Sequence, residues 1–205
     1  MLREALYSKI ESLLNRIGGF LHEQGISPNQ LTLAGLILNF LAGCVYATGH
    51  FVFAGIILLI GSLADLLDGP LARSSKRASK FGAFLDSTVD RYSDFFLLGG
   101  LALFFAKQSQ GGWFLVTLGI LLGSFVTSYA KARAENLIPD CRVGVFERAE
   151  RISILALGSL FPPLFPAALW ILLIGTHATA LQRILHTRTR LQEDSGQTAK
   201  KQVGS

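Results

Sequence analysis

The chain has 205 residues, of which 50% are hydrophobic and only 16% are charged, and its mean hydropathy is +0.44. A soluble domain carries about 25% charged residues, so this composition excludes an ordinary water-soluble globule. The formal net charge is +5. The basic residues stand at the ends of apolar blocks, which favours contact with anionic lipid head groups and weighs against nucleic-acid binding.

The apolar residues form long blocks, each close to the roughly 20 residues that cross a bilayer as a helix. They predict six membrane-spanning helices, at about 30–49, 51–72, 82–106, 112–133, 146–161 and 165–185. The alternation typical of a membrane barrel is absent from these blocks. No Gly/Pro linker or repeat divides the chain. The sequence therefore predicts an all-α integral membrane protein with a single domain over residues 1–191.

The two ends of the chain differ from the blocks between them. Apolar residues at helical spacing among charged ones predict an amphipathic juxtamembrane helix at about 2–22. The polar segment 192–205 is expected to be disordered. Lys and Arg crowd one side of the spans, so both termini are expected in the cytoplasm of a multi-pass cell-membrane protein.

The fifth block is short, since ten residues separate Arg151 from Pro162. These residues do not cross a hydrocarbon core of about 30 Å. The helix is therefore expected to begin near Val145 and to carry Glu147, Arg148, Glu150 and Arg151 close to the cytoplasmic surface.

Aspartates interrupt the second and third apolar blocks, at Asp65, Asp68, Asp86, Asp90 and Asp94. Each costs about 2.5–3.5 kcal/mol near the middle of a span, so the set requires compensation. The first two are spaced i, i+3 and the next two i, i+4, which places each pair on one helix face. Four carboxylates on antiparallel neighbours supply the oxygen ligands that Mg²⁺ and Mn²⁺ prefer.

The residues around these carboxylates suit a phosphorylated substrate. Gly69 and Ala72 keep one helix face clear, and Arg73 can fork onto phosphate oxygens. Ser79 offers a hydroxyl, and Gly82 allows close helix packing. The alternative is a set of helix-end charges paired with nearby Lys and Arg, which explains neither the acidic spacings nor the glycines.

The pattern Asp65-x-x-Asp68-Gly69-x-x-Ala72-Arg73, eight residues, Gly82-x-x-x-Asp86-x-x-x-Asp90 resembles the signature of the CDP-alcohol phosphotransferase family at every position. The resemblance implies transfer of a phosphatidyl group from CDP-diacylglycerol to an alcohol, with release of CMP, in phospholipid biosynthesis. It also implies a cytoplasm-facing site in a homodimer. Its two-metal site would use Asp65, Asp68, Asp86 and Asp90, with Asp90 as the base that deprotonates the acceptor hydroxyl. Its CDP-donor site would comprise Pro28, Asn29, Gln30, Leu31, Gly69, Ala72, Arg73, Ser79 and Gly82.

A second cluster bears on the acceptor alcohol and comprises Ser128, Lys131, Arg151 and Arg183. Three cations around one cavity suit a phosphate monoester, although positive-inside anchoring explains them equally well. The segments SYAKARAEN, VGVFERAER and ALQRILHTR also resemble those of phosphatidylinositol-phosphate synthases. That resemblance implies that these four residues hold the phosphate of inositol-1-phosphate. Archaeal relatives share the segments, so the donor is CDP-diacylglycerol or CDP-archaeol.

Two alternatives stay open. Glycerol-3-phosphate also offers a phosphate monoester and a hydroxyl, which would make the protein a phosphatidylglycerophosphate synthase. Intramembrane carboxylates also mark ion and proton transporters. A transporter would more often show broken helices in paired repeats, whereas the acidic cluster here is confined to one hairpin.

Overall fold

The structure is a computed structural model that describes residues 16–17, 19–21, 23–74 and 79–203, without the side chains of 64–70, 72–74 and 194–203. Over these residues it contains helices and no strand, which confirms the all-α prediction there. The helices are α1 (Pro28–Tyr46), α2 (Phe51–Ser74), α3 (Lys80–Lys107), α4 (Gly111–Ala134), α5 (Arg148–Leu160) and α6 (Phe165–Val203), with a 3₁₀ turn at Pro162–Leu164.

Three described segments are long and apolar enough to cross a membrane: Pro28–Tyr46, Gly111–Ala134 and Pro162–Glu193. Phe51–Leu63 is a shorter apolar helix. The 28 residues of α3 include Asp86, Asp90 and Asp94, which lower its hydropathy. The protein is thus an integral membrane protein by its helices, while the count of six spans rests on the sequence. Most of the juxtamembrane helix predicted at 2–22 lies outside the described residues.

The fifth helix differs from its prediction. It begins at Arg148, not near Val145, and has 13 residues. Gly144 has a φ of +108° and Glu147 is extended, with φ −72° and ψ −179°, so the preceding residues are held out of the helix. At 1.5 Å per residue α5 is about 20 Å long, shorter than a hydrocarbon core.

The last helix also differs from its prediction. The sequence predicts a span over about 165–185, whereas α6 continues to Val203; the disorder expected for 192–205 stays a prediction. The segment contains good helix formers, and elongating a formed helix avoids the cost of nucleating a new one.

The chain divides into two compact units, Met1–Phe104 and Phe105–Ser205. The sequence predicts one domain because no linker is visible. The boundary between the two units falls inside the continuous helix α3, and the single domain over residues 1–191 stays a prediction.

In the first unit, glycines bring the helices close together. Gly43 of α1 faces Gly100 of α3, and a Cβ on either residue would overlap the backbone of the other helix. On α2, a Cβ at Gly61 would lie 3.2 Å from the Cβ of Leu38. Such small-residue contacts are typical of membrane helices. They fix α1 against both α2 and α3.

In the second unit, α4 and α5 pack on α6. The Thr127 hydroxyl donates to the Thr176 carbonyl across the α4–α6 contact at 2.9 Å. The segment before α5 also lies on α6, because the Phe146 N–H donates to Thr179 Oγ1 at 3.1 Å. A Cβ at Gly144 would overlap the Thr179 side chain. Segment 143–147 is therefore held against α6 by its backbone.

Candidate functional site

The predicted metal ligands lie on α2 and α3. Asp65 and Asp68 belong to the helical backbone of α2, and their side chains lie outside the described part, as do those of Ala72 and Arg73 and the surroundings of Gly69. Asp86 and Asp90 are one turn apart on α3, both partly buried, and each has an interaction partner. Asp94 follows one turn later and is 5% exposed.

These residues fit a divalent cation by their chemistry. Three carboxylates within two turns of α3, partly or fully buried, repel one another, and a cation relieves that repulsion. Among the described side chains no three metal-binding groups converge on one point. That part of the chain includes only Asp86 and Asp90 of the four predicted ligands.

The first turns of α1 and α3 lie together at one end of the first unit. The Gly82 N–H donates to Ser79 Oγ at 2.9 Å, so Ser79 caps α3. A Cβ at Gly82 would lie 3.9 Å from Asn29 Oδ1 in the first turn of α1. The structure thus brings together Asn29, Ser79 and Gly82, three of the predicted donor-binding residues. Two neighbouring helix N-termini favour a bound anion.

The remaining predicted donor residues of α1 have structural roles here. Ser27 caps α1 in a capping box, in which the Gln30 N–H donates to Ser27 Oγ and the Ser27 N–H donates to Gln30 Oε1. Pro28 occupies the first helical position, and Leu31 is partly buried. The exposed Asn29 side chain is therefore the one on this turn best placed to meet a ligand.

The predicted acceptor residues converge in the second unit. Lys131 Nζ on α4 and Arg183 Nη2 on α6 both lie 3.1 Å from Glu147 Oε1. Arg183 is 3% exposed, and it also donates from Nε to the Val143 carbonyl at 2.9 Å and from Nη1 to the Thr127 carbonyl at 2.8 Å. Its guanidinium thus joins α4 and segment 143–147 to α6.

Arg151 and Ser128 complete this group. Arg151 is 6% exposed and donates from Nη1 to the Phe146 carbonyl at 3.3 Å. Ser128 is partly buried, one turn before Lys131 on α4. Three cationic side chains thus meet segment 143–147. Cations gathered at one place suit a phosphate monoester, whereas charges that only anchor helix ends do not need to converge.

Glu147 is the member of this cluster that sequence reasoning missed. The sequence indicates an acidic residue that needs polar surroundings, because it stands in the run Glu-Arg-x-Glu-Arg. Its partners are 16 and 36 residues away, so only the folded chain shows that it joins Lys131 and Arg183.

The described part of the chain is thus an all-helical membrane protein with a row of carboxylates on α3 and a group of cations around segment 143–147. Comparison with known sequences gives the family. The chain belongs to the CDP-alcohol phosphatidyltransferase family, which it matches over residues 25–182.

Curated relatives extend over nearly the whole chain. An archaetidylinositol phosphate synthase from Pyrococcus horikoshii is 40% identical over 188 residues, covering 90% of this chain and 95% of the relative. A phosphatidylinositol phosphate synthase from Streptomyces avermitilis is 35% identical over 214 residues, covering 97% of this chain and 87% of the relative.

Solved structures give the same result. The phosphatidylinositol phosphate synthase of Mycobacterium tuberculosis with CDP-DAG bound has a TM-score of 0.78 and 30% identity, covering 86% of this chain and 93% of that one. The same enzyme in complex with manganese and citrate has a TM-score of 0.74 and 31% identity, covering 85% and 88%.

Proposed function

We propose that this protein transfers a phosphatidyl group from CDP-diacylglycerol, or its archaeol counterpart from CDP-archaeol, to inositol-1-phosphate. The products are the corresponding lipid inositol phosphate and CMP. Family membership and the names of the relatives support the reaction class. The observation that carries the choice of acceptor is the convergence of the three cations Lys131, Arg151 and Arg183 on segment 143–147.

In the reaction the inositol hydroxyl oxygen forms a bond to the lipid-bearing phosphorus, and the bond from that phosphorus to the CMP oxygen breaks. Asp90 takes the hydroxyl proton. Mg²⁺ or Mn²⁺ held by Asp65, Asp68, Asp86 and Asp90, as a two-metal site, would neutralise charge on the pyrophosphate and on leaving CMP. The manganese complex of the mycobacterial enzyme supports a divalent ion.

The donor is proposed to bind where α1 and α3 begin. Asn29, Ser79 and Gly82 lie together there, and two helix N-termini favour its phosphates. The Ser79 oxygen accepts from the Gly82 N–H, and its own O–H can donate to a phosphate oxygen. Arg73, Gly69 and Ala72 would complete the site from α2, while Pro28, Gln30 and Leu31 shape the first turn of α1.

The membrane arrangement is part of the same proposal. Six spans follow a juxtamembrane helix, both termini and the active site face the cytoplasm, and the protein is a homodimer. The asymmetric distribution of Lys and Arg supports the orientation. Two of the three aspartates that reduce the hydropathy of α3, Asp86 and Asp90, are assigned to the metal, which supports counting α3 as a span.

An acceptor panel tests the function. Purified protein is given CDP-diacylglycerol or CDP-archaeol with Mn²⁺ or Mg²⁺, and inositol-1-phosphate, free inositol, glycerol-3-phosphate or serine. CMP release is expected with inositol-1-phosphate, is lost on chelation, and is confirmed by the mass of the lipid product. Release with glycerol-3-phosphate alone would identify a phosphatidylglycerophosphate synthase. No release with any acceptor would favour transport, which an ion-flux assay in vesicles measures.

A further inference from the structure

Glu147 stands at the N-cap of α5 but does not cap it. Ser, Thr, Asp and Asn are preferred at this position because their short side chains accept from the helix N–H groups. The Glu147 side chain makes no such hydrogen bond to the described backbone. Instead its Oε1 lies 3.1 Å from Lys131 Nζ and 3.1 Å from Arg183 Nη2. Its side chain is therefore directed at the cations of the acceptor cluster.

The carboxylate compensates a buried charge. Arg183 is 3% exposed, and two of its contacts are neutral carbonyls, those of Val143 and Thr127. Carbonyls satisfy hydrogen bonds but do not neutralise a guanidinium, and an uncompensated buried charge is strongly destabilising. Glu147 supplies a negative charge to this guanidinium in the protein without acceptor.

The Glu147 side chain can turn away from these cations without any movement of its backbone. Segment 143–147 is held on α6 by the Phe146–Thr179 hydrogen bond and by the contact of Gly144 with Thr179. The Glu147 side chain, by contrast, is 50% exposed. Rotation of side-chain bonds alone can take the carboxylate into solvent, on the fast timescale of exposed side chains.

A phosphate monoester needs the donors that Glu147 occupies. A carboxylate and a dianionic phosphate on the same two cations repel each other, so the two anions compete. Resting on the function proposed above, we propose that Glu147 is a resident counterion of the acceptor site. It holds Lys131 and Arg183 in the empty protein, and the acceptor phosphate displaces it. The affinity for acceptor is then set by the exchange of one anion for another.

The test replaces the carboxylate by a neutral group of the same shape, in Glu147→Gln. Without ligand this variant is expected to melt at a lower temperature, because Arg183 loses its counterion. Inorganic phosphate, measured by thermal shift and by equilibrium binding, is expected to bind about tenfold tighter than to wild type, since the contacts of the carboxylate with Lys131 and Arg183 no longer have to be broken. The KM for phosphorylated acceptor is expected to fall by a similar factor.

Glu150→Gln is the matched control. It removes the same charge from an exposed position three residues further on α5. It is expected to change phosphate affinity less than twofold, which excludes a general effect of net charge. Glu147→Asp keeps the charge but withdraws it by one methylene, so its phosphate affinity is expected to lie between those of wild type and Glu147→Gln. This variant also carries the test if the glutamine variant does not fold.

Weaker or unchanged phosphate binding in folded Glu147→Gln would overturn the proposal. If Glu147 only stabilised the cluster, its replacement would lower both the melting temperature and the affinity for phosphate. Absence of phosphate binding in wild type and variant alike would overturn it as well. Phosphate could bind tighter to the variant while neither protein uses inositol-1-phosphate. That result would support Glu147 as a counterion and refute inositol-1-phosphate as the acceptor. The two proposals are thus separated by one set of measurements.

Discussion

Replacing Lys131 by Ala separates a phosphate pocket from a set of orientation charges. Its side chain is 34% exposed and contacts Glu147 at 3.1 Å. An exposed ion pair contributes about 0–1 kcal/mol to stability, so the variant is expected to fold and to melt close to wild type.

The kinetic effect is expected to be larger. If Lys131 contacts the acceptor phosphate, its loss removes one charge-assisted hydrogen bond, worth about 1.5–3 kcal/mol. That corresponds to roughly a ten- to hundredfold decrease in kcat/KM for inositol-1-phosphate. The assay follows CMP release at saturating CDP-diacylglycerol while the acceptor is varied, and donor affinity is measured separately. Donor affinity is expected to stay unchanged.

Arg133→Ala is the matched control. Arg133 lies two residues after Lys131 in the last turn of α4, about 200° around the helix, and is exposed. There it lines a groove with Leu137, Leu191 and Arg183, on a different face of α4 from the Lys131 side chain that contacts Glu147. Its removal is expected to leave acceptor kinetics unchanged. If the Lys131 variant, like the Arg133 variant, kept the kcat/KM of wild type, the phosphate pocket would be refuted and both residues would be membrane anchors.

Three further predictions concern the base, the buried arginine and the glycine contact. Asp90→Asn is expected to abolish turnover while CDP-diacylglycerol binding persists, because the amide keeps the size but not the basic oxygen; near-normal kcat across pH would remove its assignment as base. Arg183→Lys is expected to lower stability by about 3 kcal/mol or more, since an ammonium does not reach the two carbonyls and the carboxylate together; a wild-type melting temperature would contradict this. Gly100→Ala is expected to cost at least about 1–3 kcal/mol by overlap with Gly43, whereas Gly99→Ala has open space and is expected to be neutral or slightly stabilising. Similar thermal midpoints for these two alanine variants would rule out the close contact.

Local signals in the sequence predicted most helix boundaries. The first span was predicted from about residue 30, and α1 begins two residues earlier at Pro28, because the Ser27 hydroxyl and the Gln30 side chain form a capping box there. The start of α5 was predicted too early, because what holds the preceding residues extended is tertiary. The Phe146 contact with Thr179 joins positions 33 residues apart, and periodicity carries no information about it.

The same distinction applies to the site. The i, i+4 spacing of Asp86 and Asp90 predicts that they share one face of a helix, and the structure places them one turn apart on α3. The convergence of Lys131, Arg151 and Arg183 was expected, but its organisation around Glu147 was not. A contact between residues 147 and 183 depends on how α6 folds back onto the segment before α5. Local pattern thus predicts which polar residues share a helix face, and packing decides which helices bring them together.

The short length of α5 has a consequence for biosynthesis. A helix of 13 residues with Arg148, Glu150 and Arg151 in its first turn lacks the hydropathy to integrate into a bilayer alone. The turn at Pro162–Leu164 leads directly into α6, and Gly158 of α5 packs on Ala168 just beyond that turn. We therefore expect the two helices to enter the membrane as a hairpin driven by α6. Because α6 also brings Arg183, the basic pocket is assembled only after the ribosome has completed this last helix.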